Sequence, residues 1–281
     1  MTSPVSSPGE SIRAVDSHAH VFHRDLPFAE GRRHSPDFDA PLADYLGLLD
    51  AHAVSHAVLV QPSFLGTDNT FLLAALQTNT RRLRGVAVVA PSVTDAELCR
   101  LAGQGVCGIR LNLVGAAVPE LRSGAWADLL LRVRALGWHV EVHLELAALP
   151  PVGQAVIDSG CRLVVDHFGR PGGADAEGMA WLLDAAQTGR AWVKLSAAYR
   201  NAAPSAPVPA AAAAARLLEA FGPERLVWGS DWPHTQHREL ASFSSTLAAL
   251  QAWVPDAAAR HTILVDTPRR LFQFYSGDPP Q

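Results

Sequence analysis

The chain has 281 residues, 48% of them apolar and 18% charged, with a formal net charge of −4. That is enough apolar material for a full hydrophobic core, and it excludes a disordered or collagen-like chain. A mildly acidic chain without a basic run offers no footprint for nucleic acid or an anionic membrane surface.

The N-terminal MTSPVSSPGESIR lacks an apolar h-region and is not read as a signal peptide. Residues 1–13 read as a flexible tail, as do 276–281, and 14–275 read as one domain. In chain order the strand signals are 14–22, 57–63, 85–91, 108–114, 139–145, 162–168, 191–196 and 225–231. Helical patterns lie between most of them, as in LADYLGLLDAHAV, TFLLAALQTNTRRL and WADLLLRVRALG. Residues 201–222 begin as a Pro-rich loop and become an Ala-rich helix. Strands separated by helices imply parallel βαβ units, and eight such units are the arithmetic of a closed (β/α)₈ TIM barrel in a single domain. No Gly-rich dinucleotide turn follows an early strand, which argues against an open doubly wound sheet.

Cys99, Cys107 and Cys161 show no paired spacing and read as buried free thiols in a reducing compartment. No apolar run approaches the length of a spanning helix. The expectation is a soluble, cytoplasmic protein whose oligomeric state is not readable from the chain.

Side chains alternate between the interior of a barrel and its helix-facing side. Alternation sends Asp16, His18 and His20 inward from the first strand, with Val15, Ala19 and Val21 outward. It likewise sends Arg110 and Asn112 inward, then His139, Glu141, His143 and Glu145, then Lys194 and Ser196. His167 is taken as inward, Asp166 has the opposite parity, and Val227, Gly229 and Asp231 share a face. His18, His20, Arg110, His143, His167 and Asp231 therefore converge from five strands, a cluster too polar for ordinary core packing. Of 23 cationic side chains only Lys194 is a lysine. Buried Asp16 and Glu141 need a cationic partner, and Lys194 is the expected one. Arg170, Tyr199, Arg200 and His234 follow strands at the same end of the barrel, and Trp232 is expected to pack the rim. In LVQPSFLGTDN, Gln61 and Ser63 are candidates for a pocket wall or lid, and Asp68 or Asn69 for a helix cap.

His18 and His20 lie on one face of a strand about 7 Å apart and can reach one point, to bind a metal ion or a substrate oxygen. Alone the pair is a weak signal. Together with DHFGRP (166–171) and WGSDWPH (228–234) it resembles the amidohydrolase superfamily. VDSHAHVF, LVQPSFLGTDN, GIRLNL, VVDHFGRP, VKLSAAYR and LVWGSDWPH resemble its lactone-hydrolase branch, which includes 2-pyrone-4,6-dicarboxylate lactonase and sugar lactonases.

The resemblance implies hydrolysis of a small, carboxylated lactone. Asp231 would activate water, and His18, His20 and His167 would hold the lactone carbonyl. Arg110, His143, Tyr199, Arg200 and His234 would bind the rest of an anionic substrate. Binuclear members of the superfamily use a carbamylated lysine on the fourth strand. Here that strand carries Arg110, so no lysine-bridged metal pair is expected and no cofactor is required. The alternative is one divalent ion such as Zn²⁺ on His18, His20, His143, His167 and Asp231. Two further readings are a metal-dependent decarboxylase of the same superfamily and a non-catalytic anion-binding barrel.

Overall fold

The computed structural model describes residues 11–172, 176–203, 206–207 and 209–274. The proposed tails therefore fall outside the described residues, apart from positions 11–13. One sheet carries eight parallel strands in sequence order: β1 (Val15–Ala19), β2 (His56–Val60), β3 (Leu83–Ala87), β4 (Val106–Asn112), β5 (His139–His143), β6 (Arg162–Val165), β7 (Ala191–Ser196) and β10 (Leu226–Gly229). A small antiparallel ladder, β8 (Ala202–Ala203) with β9 (Ala206–Pro207), lies apart from it. The barrel closes just beyond β10, where Asp231 N donates to His18 O at 2.8 Å and His20 N to Trp232 O at 2.8 Å. The fold is the (β/α)₈ barrel that the alternation of elements predicts.

Strand ends follow local chemistry. The run beginning at Ala57 stops at Val60, because Pro62 cannot donate to a ladder. Each strand is followed by helix. These are α1 (Leu42–Ala51), α2 (Thr70–Thr78), α3 (Asp95–Gly103), α4 (Gly124–Ala135), α5 (Leu149–Asp158), α6 (Ala176–Ala185), α7 (Ala210–Phe221) and α8 (Phe243–Trp253). Asp68 accepts the Thr70 N–H at the start of α2, and Thr94 caps α3 by accepting Glu97 N–H. The chain ends through α9 (Ala257–His261), a π-helical turn and α10 (Thr267–Leu271).

Two apolar layers result. Ile109, Leu111, Val140, Val142, Val193 and Leu195 face the helices, as alternation predicts. Val58, Val60, Val86, Val164 and Val227 form a separate interior cluster with Leu271, Phe272 and Phe274, so the C-terminal segment plugs the barrel. Cys107 and Cys161 are buried; Cys99, expected to be buried, is exposed on α3.

β1 departs from the predicted alternation. Three steps along it, Asp16 to Ala19, match two along β2, Ala57 to Leu59, which marks a bulge. Val15 accordingly joins the interior cluster, and Asp16 turns outward beneath α1. There Asp16 accepts from Tyr45 Oη at 2.8 Å and from Ser230 N and Oγ at 2.8 and 2.5 Å. It is not a partner of Lys194. Burial pushes its carboxyl up to about 6 despite these donors. Trp232 packs at the rim as expected, stacked on Tyr45.

Candidate active site

The polar ends of the strands line a cavity of about 240 Å³ at the C-terminal mouth of the barrel. Its floor carries His20, His167 and Asp231, with His18 fully buried directly behind them and not itself lining the cavity. His18 Nε2 lies 3.3 Å from His20 Nε2. Asp231 Oδ1 lies 3.6 Å from each of these atoms and 3.9 Å from His167 Nε2. The bulge in β1 and a close passage of backbone allow this convergence: a methyl group at Gly229 would sit 2.6 Å from His18 Cβ.

The two oxygens of Asp231 have different surroundings. Oδ2 accepts from Tyr199 Oη at 2.6 Å and from Arg200 Nε at 3.0 Å. Oδ1 faces the three imidazoles and has no such donor within 3.5 Å of it among the described residues. Burial alone would raise this carboxyl; Arg200, followed by His167 and its other neighbours, holds it well below the usual carboxylate range. It is therefore ionised and able to take a proton. Burial pushes His18 down to about 3, with Lys194 adding to the effect, and pushes His167 and His143 well below the ordinary histidine value.

Beneath this floor lies a balanced set of charges. Lys194 Nζ is 2.5 Å from Glu141 Oε1, 2.9 Å from His18 Nδ1 and 3.2 Å from Asp166 Oδ1. Asp166 Oδ2 accepts from Arg110 Nε at 2.9 Å. Burial opposes ionisation of Asp166, but Lys194 and then Arg110 hold its carboxyl well below the usual range. Glu141 is thus the predicted partner of Lys194, and Asp166 stands where Asp16 was expected. Asp166 escapes an alternation argument because β6 ends at Val165, and the chain then turns through positive φ at His167 (53°) and Phe168 (58°). Both Asp166 and His167 consequently face inward.

The cavity wall is cationic. Arg33, Arg110, Arg170 and Arg200 all line it, with Asn112, His143 and Tyr199. Arg33 donates to Asn112 Oδ1 at 3.0 Å. Its guanidinium is pushed down first by burial and then by Arg110 and Arg170, so these charges repel one another. Arg170 meets His143 Nε2 at 3.2 Å, and its buried Nε has no hydrogen-bond partner among the described residues. His234 lies behind Tyr199, with Nδ1 3.3 Å from its hydroxyl, and does not line the cavity. Arg33 comes from the long β1–α1 connection, and His237 from the segment after β10. Neither lies in a periodic segment; the polar run RRH (32–34) is the one clue to the first. Ser63 and Phe64 form part of the wall, while Gln61 Nε2 ties down their loop by donating to Asp68 O at 2.7 Å.

Among the described residues, His/Asp donors close enough to share an ion form two groups, His18–His20–Asp231 and His18–Asp166–His167. A zinc ligand needs a free lone pair. Lys194, which can only donate, occupies Nδ1 of His18, and Arg170 occupies Nε2 of His143. This donor set does not suit the five-ligand zinc site envisaged from the sequence.

A closed parallel barrel with a carboxylate and imidazoles gathered at its strand ends has the architecture of a barrel enzyme. The chain belongs to the amidohydrolase family, whose sequence profile matches residues 15–274. It is 34% identical over 272 residues to 4-sulfomuconolactone hydrolase of Rhizobium radiobacter, covering 92% of this chain and 89% of that protein. It is 33% identical over 283 residues to a 2-pyrone-4,6-dicarboxylate hydrolase of Comamonas testosteroni, covering 92% and 90%. The crystal structure of a candidate 2-pyrone-4,6-dicarboxylic acid hydrolase from Pseudomonas putida superposes with a TM-score of 0.86 at 47% identity, covering 93% of this chain and 97% of that one.

Proposed function

We propose that this protein hydrolyses a small lactone bearing acidic groups, of the kind named for its relatives. One observation carries the reading: an ionised Asp231 keeps Oδ1 free among three imidazoles, under a wall of four arginines. The carboxylate supplies a base, and the arginines supply counter-charges for carboxylate or sulfonate groups.

Arg33, Arg110 and Arg170 hold the acidic groups and orient the ring so that its ester carbonyl meets His18, His20 and His167. Asp231 Oδ1 takes a proton from water as the water oxygen bonds to the carbonyl carbon. The developing oxyanion is held by imidazole N–H. The ring C–O bond then breaks, and the proton returns from Asp231 to the leaving oxygen. The ring-opened hydroxy acid carries one new carboxyl group, which ionises by releasing the second proton of the water to solvent. Tyr199 and Arg200 keep the carboxylate in place through Oδ2.

The test is hydrolysis of 2-pyrone-4,6-dicarboxylate and of neutral lactones, before and after chelation. Turnover of the acidic lactone that survives chelation supports the reading and excludes a metal-dependent decarboxylase; lactone turnover lost on chelation and restored by added metal favours the single-ion alternative. Asp231→Asn is expected to lower kcat about 10²–10⁴-fold with KM changed only a few-fold, as for loss of a general base. An unchanged kcat would overturn the role of Asp231. A wild-type protein that binds but turns over no lactone would leave the anion-binding barrel. Among the described residues no helix is long and apolar enough to cross a membrane. With its free cysteines, the chain suits a reducing, cytoplasmic setting.

A further inference from the structure

The chain's one lysine lies at the start of a line of hydrogen bonds whose direction is determined at both ends. Lys194 Nζ is surrounded by three acceptors: Glu141 Oε1 at 2.5 Å, His18 Nδ1 at 2.9 Å and Asp166 Oδ1 at 3.2 Å. An ammonium group between two buried carboxylates has three N–H donors and no lone pair. The nitrogen it meets on His18 must therefore accept. A neutral imidazole that accepts at Nδ1 carries its proton at Nε2. An imidazole that accepts at Nδ1 cannot carry both protons, so His18 is neutral in this arrangement.

The other end of the line is a backbone carbonyl. His20 Nδ1 lies 2.8 Å from Val60 O, which can only accept, so Nδ1 of His20 carries a proton. Between the two rings, His18 Nε2 and His20 Nε2 approach to 3.3 Å. That contact is attractive when one nitrogen bears hydrogen and the other does not. The line reads in one sense: Lys194 to His18, His18 to His20, His20 to Val60.

We propose that Lys194 sets the tautomers of this histidine pair, and so makes His18 a donor toward the site centre and withholds it from metal ions. A ligating histidine needs the opposite arrangement, with a proton on the outer nitrogen held by an acceptor and a lone pair turned inward. Asp166 Oδ1, 3.4 Å from His18 Nδ1, is the acceptor that would give it that arrangement. Lys194 stands nearer to Nδ1 and pairs with Asp166 as well. On the lactone-hydrolase reading, the N–H of His18, given to His20 Nε2 in the free site, turns to the carbonyl oxygen when substrate enters; His20 Nε2, freed by that turn, then accepts from the attacking water, and the oxyanion is held by His18 and His167. Lys194 is thus a positioning residue; it lies below the cavity and does not line it.

Two measurements test this without relying on turnover. In wild-type protein labelled with ¹⁵N-histidine, long-range ¹H–¹⁵N spectra should give His18 the Nε2–H pattern and His20 the Nδ1–H pattern, assigned by loss of signal in His18→Asn and His20→Asn. A His18 carrying its proton on Nδ1 would overturn the proposal even if the enzyme is a lactonase. In calorimetric titrations with Zn²⁺ alone, Lys194→Met should bind at least tenfold more tightly than wild type. Equal affinities, or a wild type that binds one Zn²⁺ through His18, would also overturn it. Should Lys194→Met not fold, the wild-type spectra decide. A protein that passes both tests but opens no lactone would refute the proposed function and leave the tautomer assignment standing.

Discussion

Substitution of Gly229 by alanine probes how tightly the barrel interior sets the position of His18. The added Cβ would lie 2.6 Å from His18 Cβ, 3.0 Å from its backbone N and 3.2 Å from its Cα. Carbon atoms pack at about 3.5–4.0 Å, so the two strands must separate by roughly 1 Å. The atoms met are mainly backbone and Cβ, which cannot rotate aside. Overpacking of this kind costs about 1–3 kcal/mol of stability. The displaced ring carries Nε2 away from His20 and Asp231, and a misplacement near 1 Å lowers turnover by about 10²-fold. Gly153→Ala serves as the control, because its Cβ would meet the Trp181 ring at 2.2 Å between α5 and α6, in the helical layer. Both variants should lose thermal stability in scanning calorimetry. Only Gly229→Ala should lose kcat in a lactone-hydrolysis assay on folded protein. A Gly229→Ala enzyme with kcat within twofold of wild type would refute the idea that close strand packing positions the imidazole.

Arg110→Met should raise KM for an acidic lactone by roughly 30-fold, the lower range for removal of a buried, paired charge, and should change KM for a neutral lactone far less; equal losses on both would sink the anion-binding assignment. Arg33→Ala should likewise weaken binding of the acidic lactone, with a loss that shrinks as salt is raised, while a salt-independent loss would point to packing. Stability should fall on acidification from pH 7 to 5. Burial holds His18, His139, His143 and His167 below their unfolded value of about 6.5, so the unfolded chain binds protons first, and each group removes up to about 1.4 kcal/mol per pH unit between that value and its own lowered one. Asp16, raised to about 6, acts in the opposite sense between its unfolded value of 3.8 and pH 6, offsetting about one of the four histidines. A urea midpoint that stayed level or rose between pH 7 and 5 would contradict this balance.

The barrel could be read from the sequence because its signals are local and repeated: eight apolar runs, each followed by a helical pattern. Alternation also sorted the interior correctly wherever a strand is regular. Arg110, Glu141, Lys194 and Ser196 face inward as parity requires: Arg110 reaches Asp166, Glu141 pairs with Lys194, and Ser196 Oγ meets His167 Nδ1 at 2.8 Å. The errors have specific causes. A bulge in β1 reverses Val15 and Asp16, and no composition signal marks it. Arg33 reaches the cavity from a connection whose path periodicity does not determine. Cys99 lies on the polar side of a short helix, where the usual burial of cysteine does not apply.

The remaining misreading, at Asp166, has the same origin as the site itself. His167, Phe168 and Arg170 beyond β6, Ala197 beyond β7, and Asp231 and His234 beyond β10 all adopt positive φ, between 47° and 58°. Such backbone costs a residue with a Cβ on the order of 1 kcal/mol and is usually left to glycine. Here the side chains cannot be dispensed with, since they include the proposed base and an imidazole. The surrounding structure holds them by backbone bonds, Asp231 N to His18 O at 2.8 Å and His234 N to Asp231 O at 2.7 Å. A turn of this kind lets successive residues, Asp166 and His167, both face the interior, which a regular strand forbids. Parity therefore fails at the strand ends because positive-φ turns there bring more side chains inward than alternation can provide.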